Sequence, residues 1–255
     1  MPRLIPFRLA AACALALALS LPFAASALAK GVSAELRVVG KGSKVLTEQT
    51  LSTSTTTIKT SKKANCFGAG TEGSGKSVTI KGATALGLLG QASKQTGSLR
   101  PLLVTDAFDF GLGICGVGNS KVTGKASWYL KVNHKGATVG GDSVKLKPGD
   151  EVLWDLAPSY PYPNELALEA PERTDTGVPF QVRVVSYDEK GKRKPVAGAK
   201  IEGQTGAVTG ADGRATVTLT AASAQYETLY ATHGKDIPSP AAPVFVCVGG
   251  SCVPK

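Results

Sequence analysis

The stretch 127-SWYLKVNHKGA-137, together with 144-VKLKPGDEVLW-154, decides how the first half of this chain folds. Trp128, Leu130 and Val132 recur at every second position, the pattern of a strand with one apolar face. Asn133 to Gly136 supply a turn. Lys147-Pro148-Gly149-Asp150 is a second, tight turn, with Pro148 and Gly149 suited to its two central positions. Val152 and Trp154 then share one face of a closing strand. Both tryptophans lie on apolar faces, so each reads as core rather than as a platform for a ligand.

Working outward, residues 83–94 (ATALGLLGQASK) carry Leu86, Leu89 and Ala92 at helical spacing and predict a short amphipathic helix. Strands are expected at 34–39, within the threonine-rich 45–60, and at 102–104. One helix among several strands argues for a compact α+β domain over residues 30–157. Pro158, Pro161 and Pro163 then fall within APSYPYPNEL, which predicts a stiff Pro-rich linker over 158–168. From 169 to 255 the pattern is β throughout. Residues 180–187, 199–202, 215–219, 226–230 and 244–248 read as strands, with turns at DEKGK, GADGR and HGKD. Such spacing argues for an immunoglobulin-like sandwich. Asp212-Gly213 is an ordinary turn signal, and a calcium loop would need further carboxylates. The expected fold is therefore β-rich with two domains.

Residues 1–29 have the form of a secretory signal peptide: Arg3 and Arg8, an apolar run from Leu9 to Leu21, then Ala27-Leu28-Ala29 before Lys30. Cleavage is expected between Ala29 and Lys30. An uncleaved anchor is the rival reading, but the run is short for a span and is broken at Pro22. Cleavage leaves 226 of 255 residues, and with Arg3 and Arg8 removed the formal charge falls from +10 to +8. No later apolar run is long enough to span a membrane, and SCVPK carries no wall-sorting signal, so a secreted or cell-surface product is expected. Four cysteines then remain: Cys66, Cys115, Cys247 and Cys252. An even number in an exported chain reads as disulfides, for which three connectivities are open. Cys66–Cys115 and Cys247–Cys252 are favoured because each pair lies within one expected domain. A zinc site is disfavoured, since no C-x-x-C occurs and the two histidines, His134 and His233, are far apart.

The octapeptide Gly70–Ser77, GTEGSGKS, matches the phosphate-loop pattern at every required position. Its surroundings do not fit. A phosphate loop follows a buried strand and opens a helix, whereas a polar stretch precedes Gly70 and the strand-like Val78-Thr79-Ile80-Lys81 follows Ser77. It reads as a loop, and neither a nucleotide nor another cofactor is expected.

The segments around 78–90 and 127–154 resemble the transcobalamin-like C-terminal domain, a family found in exported bacterial proteins. The resemblance rests on Thr84-Ala85-Leu86 at the helix start, the Trp128-led strand ending Val132-Asn133, the Gly136-Ala137 turn, and Pro148-Gly149-Asp150 leading to Trp154. It implies a β-grasp-like α+β fold. His134 stands where the family has Gly after the strand Asn, which suggests a lengthened hairpin turn. The cysteine-containing insertion ahead of the helix is a second departure. The C-terminal part is similar to β-sandwich modules carrying Pro195–Ala199 and Thr209 to Ala215, which are mostly spacers or adhesive units.

Catalytic machinery is sparse. No G-x-S-x-G occurs, and His134 and His233, both expected on solvated turns, are the only histidine bases. Asp106 and Asp109 form the one close apolar-flanked carboxylate pair, and a loop-capping role suits them better than hydrolysis of a cell-wall polymer. The expected function is that of an exported, non-catalytic binding or interaction protein. Corrinoid-like small-ligand binding is an alternative carried by the resemblance, and a wall hydrolase a second. Trp128, Asn133 and His134 are the candidate ligand-binding residues; no metal site is expected. The positive charge favours acidic envelope polymers or another surface protein as partner. Nucleic acid is disfavoured by export and by basic runs at 59–63 and 190–194 that lack interleaved aromatics.

Overall fold

The computed structural model describes residues 31–249. The signal segment, Ala29, Lys30 and Cys252 lie outside the described residues. The first module runs through ten strands: β1 (Val32–Gly40), β2 (Lys44–Thr53), β3 (Thr56–Lys59), β4 (Ser77–Ile80), β5 (Leu102–Phe108), β6 (Gly111–Val117), β7 (Ser120–Lys121), β8 (Ser127–Val132), β9 (Lys135–Gly136) and β10 (Glu151–Ala157). One α-helix, α1 (Ala85–Gln95), lies between β4 and β5.

The main sheet has the order β2-β1-β10-β8-β9, with β1 and β10 parallel and the other pairs antiparallel. Its even-numbered residues Leu36, Val38, Leu130, Val152 and Trp154 bury against Leu86, Leu88, Leu89 and Ala92 of α1. Thr84 starts the helix, its hydroxyl accepting from Gly87 N at 3.0 Å. Gly90 lets the helix approach β3, because a Cβ there would stand 2.8 Å from Ile58 Cδ1. The helix, the alternating strands and the two turns all fall where the sequence puts them, in a β-grasp-like arrangement.

The Cys66–Cys115 disulfide ties the 60–76 loop to β6, closing a 49-residue separation. Ala64 and Leu103 pack around it with Phe108. Gly70–Lys76 is loop leading into β4, which begins at Ser77. Asp106 accepts from Ser74 N at 2.7 Å and from Ser74 Oγ at 2.6 Å, so this carboxylate closes the glycine-rich loop.

The second module contains β11 (Glu165–Glu169), β12 (Arg173–Asp175), β13 (Pro179–Tyr187), β14 (Arg193–Pro195), β15 (Lys200–Ile201), β16 (Arg214–Thr218), β17 (Gln225–Leu229), β18 (Ala231–Thr232) and β19 (Ala242–Cys247). One sheet runs β11-β13-β14, with β16 also on β13; the other runs β12-β19-β17, and β15 pairs β18. The early strand β12 is parallel to the last, β19. Leu166, Val182, Val184, Leu229, Val244 and Val246 fill the space between the sheets. This is the immunoglobulin-like sandwich. Cys247 is disulfide-bonded.

Two expectations need correction. The connecting segment ends at Asn164, not 168, because Glu165–Glu169 pairs with β13 and forms β11, with Leu166 turned into the core. Its tyrosines pack against the first module and each other: Tyr162 stacks on Tyr129 with centroids 4.0 Å apart, and Tyr160 packs edge-on to Tyr162. Finally, the β8–β9 turn is not lengthened. Val132 pairs with Lys135, leaving only Asn133 and His134 between them, at φ 50° and 66°. Positive φ at both positions of a two-residue loop is the type I′ geometry that matches strand twist.

Replacing Cys66 and Cys115 together by Ser is expected to lower unfolding free energy by about 2–4 kcal/mol. The measurement is chemical denaturation; an unchanged midpoint would mean that Asp106 and the small core hold this loop unaided.

Candidate functional site

The main sheet's odd-numbered residues point away from α1. Arg37 and Val39 on β1, Lys131 on β8, and Leu153 and Asp155 on β10 are all buried, with Lys131 1 % and Asp155 4 % exposed. The second module covers them. Ile237 packs on Val39 and Leu153, with Val45 at the edge. Around this small apolar contact the interface is polar.

Glu165, the first residue of β11, is its centre. Arg37 Nη2 donates to Glu165 Oε1 at 2.7 Å, and Arg37 Nη1 donates to the Pro238 carbonyl. Lys131 Nζ lies 3.2 Å from Glu165 Oε2 and donates to the Tyr187 carbonyl at 3.0 Å. His134 Nδ1 is also 3.2 Å from Oε2. Neither Oε2 nor Nδ1 has an aligned hydrogen bond, so this side of the carboxylate is held by charge and proximity. The imidazole stacks on Tyr187, centroids 3.8 Å apart and rings within 5° of parallel, and its Nε2 stands 3.5 Å from Glu151. The β8–β9 hairpin also touches the second module through Gly136 N, which donates to the Glu189 carbonyl at 2.9 Å.

Burial by itself raises the Glu165 pKa. The adjoining His134 side chain, then the charges of Arg37 and Lys131, outweigh it and hold the carboxyl at about 2. Burial lowers the ammonium pKa of Lys131 against the pull of Glu165. Asp155 behaves oppositely. Burial raises it to about 7 because Arg37 and Lys131 offset only part of the desolvation.

Two openings flank the interface. At the start of β1 and β10 is a crevice of about 400 Å3 with Arg37, Lys131, His134 and Glu165 in its wall. The exposed Glu35, Glu48 and Glu151 stand around its mouth. At the other end of the same strands is a cavity of about 790 Å3, reached by Asp155 and bordered by Lys41, Lys121 and Lys235.

Of the three sequence candidates, only His134 lies in the crevice wall. It is a partly buried member of the ion cluster rather than a solvated turn residue. Asn133 is committed elsewhere: its Nδ2 donates to Asp150 Oδ1 and its Oδ1 accepts from Glu151 N, both at 2.9 Å, locking two turns together. Trp128 packs against the α1 core on the opposite face of the sheet. His233 pairs with Asp236 at 2.8 Å. Sequence reasoning missed Arg37, Lys131, Asp155 and Glu165. The signal was present in VLWDLA (152–157) and LRVV (36–39), where a charge interrupts a nearly continuous apolar run. Such runs mark strands buried on both faces.

Among the described residues no helix is long and apolar enough to cross a membrane, and no group of three or more His, Cys, Asp or Glu is placed to hold a metal ion. Residues 82–157 match the family model described as "Domain of unknown function (DUF4430)", the transcobalamin-like C-terminal domain family. The match includes α1, Lys131, His134 and Asp155 but neither Arg37 nor Glu165. No curated protein matches the chain.

Glu165→Gln is expected to cost roughly 3 kcal/mol at neutral pH, since it leaves Arg37 and Lys131 buried without a counter-charge. The folded value of Glu165 lies below the ordinary 4.5, so its contribution is whole above about pH 4.5 and lost as pH falls toward 2. The folded value of Asp155 lies above the ordinary 3.8, so its contribution is whole below about pH 4 and lost as pH rises through 7. Maximum stability is therefore expected near pH 4–5, and Asp155→Asn should flatten the decline toward neutral pH in a series of melting curves. At residue 134, Gly should be about 1 kcal/mol more stable than Ala, because φ is positive there. Equal stability of the two variants would contradict the turn geometry.

Proposed function

We propose that the protein is an exported, non-catalytic binding protein of the cell envelope or extracellular space, taking its ligand in the crevice between its modules. The observation that carries this reading is the crevice of about 400 Å3 whose wall is a buried ion cluster and whose mouth bears Glu35, Glu48 and Glu151. That volume lies in the lower part of the range for small-ligand sites. Three mouth carboxylates favour a group that is cationic or rich in hydroxyls, such as one unit of an envelope polymer. The chain's surplus of lysine outside the mouth favours a partner that is acidic overall, whether polymer or surface protein.

The non-catalytic part of the reading rests on Glu165 in the crevice wall and on the placement of the two histidines. Glu165 stays charged far below neutral pH, so it has no proton to give at the pH where a glycosidase acid must act. His134 faces Glu165 and Glu151, and His233 faces Asp236. Neither is set against a hydroxyl or thiol as a nucleophile's base would be. The corrinoid alternative draws on the family resemblance alone, and a corrinoid is larger than the drug-sized ligands that fit a crevice of this volume.

The test combines purified cell walls, hydroxocobalamin and the secreted protein. Co-sedimentation with walls is expected to survive high salt and to fall several-fold in the Glu48→Ala, Glu151→Ala double variant. No soluble sugar or peptide should be released, and the visible spectrum of the corrinoid should not change. Release of wall fragments would sink the non-catalytic reading, and sedimentation abolished by salt would reduce the interaction to diffuse charge attraction.

A further inference from the structure

The cavity of about 790 Å3 at the far end of the interface holds a feature that the ion cluster does not use. Asp155 lines it and is 4 % exposed. Its carboxyl has no hydrogen-bond or ion-pair partner among the described residues. The two cations that attract its charge bond elsewhere, since Arg37 serves Glu165 and the Pro238 carbonyl, and Lys131 serves Glu165 and the Tyr187 carbonyl. A buried carboxyl without a partner is destabilising, and on this face Asn or Leu would fold at less cost. An unpaired acid persisting there fits a position that something else is meant to complete.

The walls indicate what that is. Lys41 from the β1–β2 turn, Lys121 from β7 and Lys235 after β18 stand on the cavity border, exposed and outside every ion pair of the described residues. The remaining acid nearby, Asp236, is paired with His233. Leu156, Pro158, Pro161, Pro163 and Ile237 give the cavity an apolar part of its lining. The volume suits a small molecule.

We infer that this cavity is a second binding site, for a small amphoteric ligand whose protonated amine pairs with Asp155 and whose anionic group meets Lys41, Lys121 and Lys235. An ammonium held by Asp155 would supply the missing hydrogen bonds and favour the ionised carboxylate. The lysines would act as point charges toward a carboxylate or phosphate. The site is separate from the acidic crevice and stands or falls independently of it.

Amide chemical-shift titration of the intact secreted protein at neutral pH tests this. The probes are linear ω-amino acids of increasing length and the matching aminoalkyl phosphates, with alkylamines and alkyl carboxylates as single-charge controls. Saturable shifts at residues around the cavity are expected for an amphoteric probe, and the tighter arm identifies the anion. Each single-charge control should bind about tenfold more weakly or worse, as should Asp155→Asn and the Lys41→Ala, Lys121→Ala, Lys235→Ala triple variant. Asp155→Asn should lose binding while its melting temperature at neutral pH rises, an opposition that a merely structural role would not produce. Absence of saturation by every amphoteric probe, or equal affinity in Asp155→Asn, overturns the proposal. So does a single-charge control that binds as tightly as the amphoteric probes.

Discussion

The carboxylate of Glu165 is shared by Arg37, Lys131 and His134, and the arrangement of the two modules depends on it. Arg37 and Lys131 arise from adjoining parts of one sheet, and both are covered when the sandwich docks. Two buried cations require a counter-charge, and burial pushes the first module's own Asp155 up to about 7, so it is only partly ionised near neutral pH. The acid comes instead from the second module, at the first residue after the proline segment. Such a pair contributes more to choosing one docking than to stability, because desolvation consumes much of the attraction. Ile237 against Val39 and Leu153 supplies the apolar part of the contact.

That geometry gives the interface a polarity along the strands. Carboxylates gather at the mouth near the start of β1 and β10, and lysines gather at the other end. His134 shows how closely the first mouth is built. It occupies a positive-φ turn position that glycine fills without strain, yet its ring is held between Tyr187 and Glu165. A locally unfavourable residue kept at a site is a common mark of a role beyond folding.

Much of the fold was legible. Period-2 alternation located strands in both modules, though not β6, β7, β11, β12, β14 or β18; the spacing of Leu86, Leu89 and Ala92 located the helix, and the Pro-Gly-Asp turn was in place. The end of the linker was not legible because the apolar pattern of β11 is short, two leucines about Ala167, and directly follows three prolines. The turn was misjudged because histidine tolerates positive φ and so can replace glycine without an added residue. The site itself was only faintly legible. His134 was picked out, but as a solvated residue, and Asn133 and Trp128 proved to be committed to a turn and to the helix-facing core.

The order of apolar and polar residues determined which backbone segments pair and which face of each sheet packs inward, because those are local, periodic properties of the chain. It could not determine what covers the outward face. Arg37, Lys131 and Asp155 have the same side chains whether they meet water or another module. Only the docking of the sandwich, through a glutamate 128 residues from Arg37 in sequence, decided that they are buried, paired or left waiting for a partner.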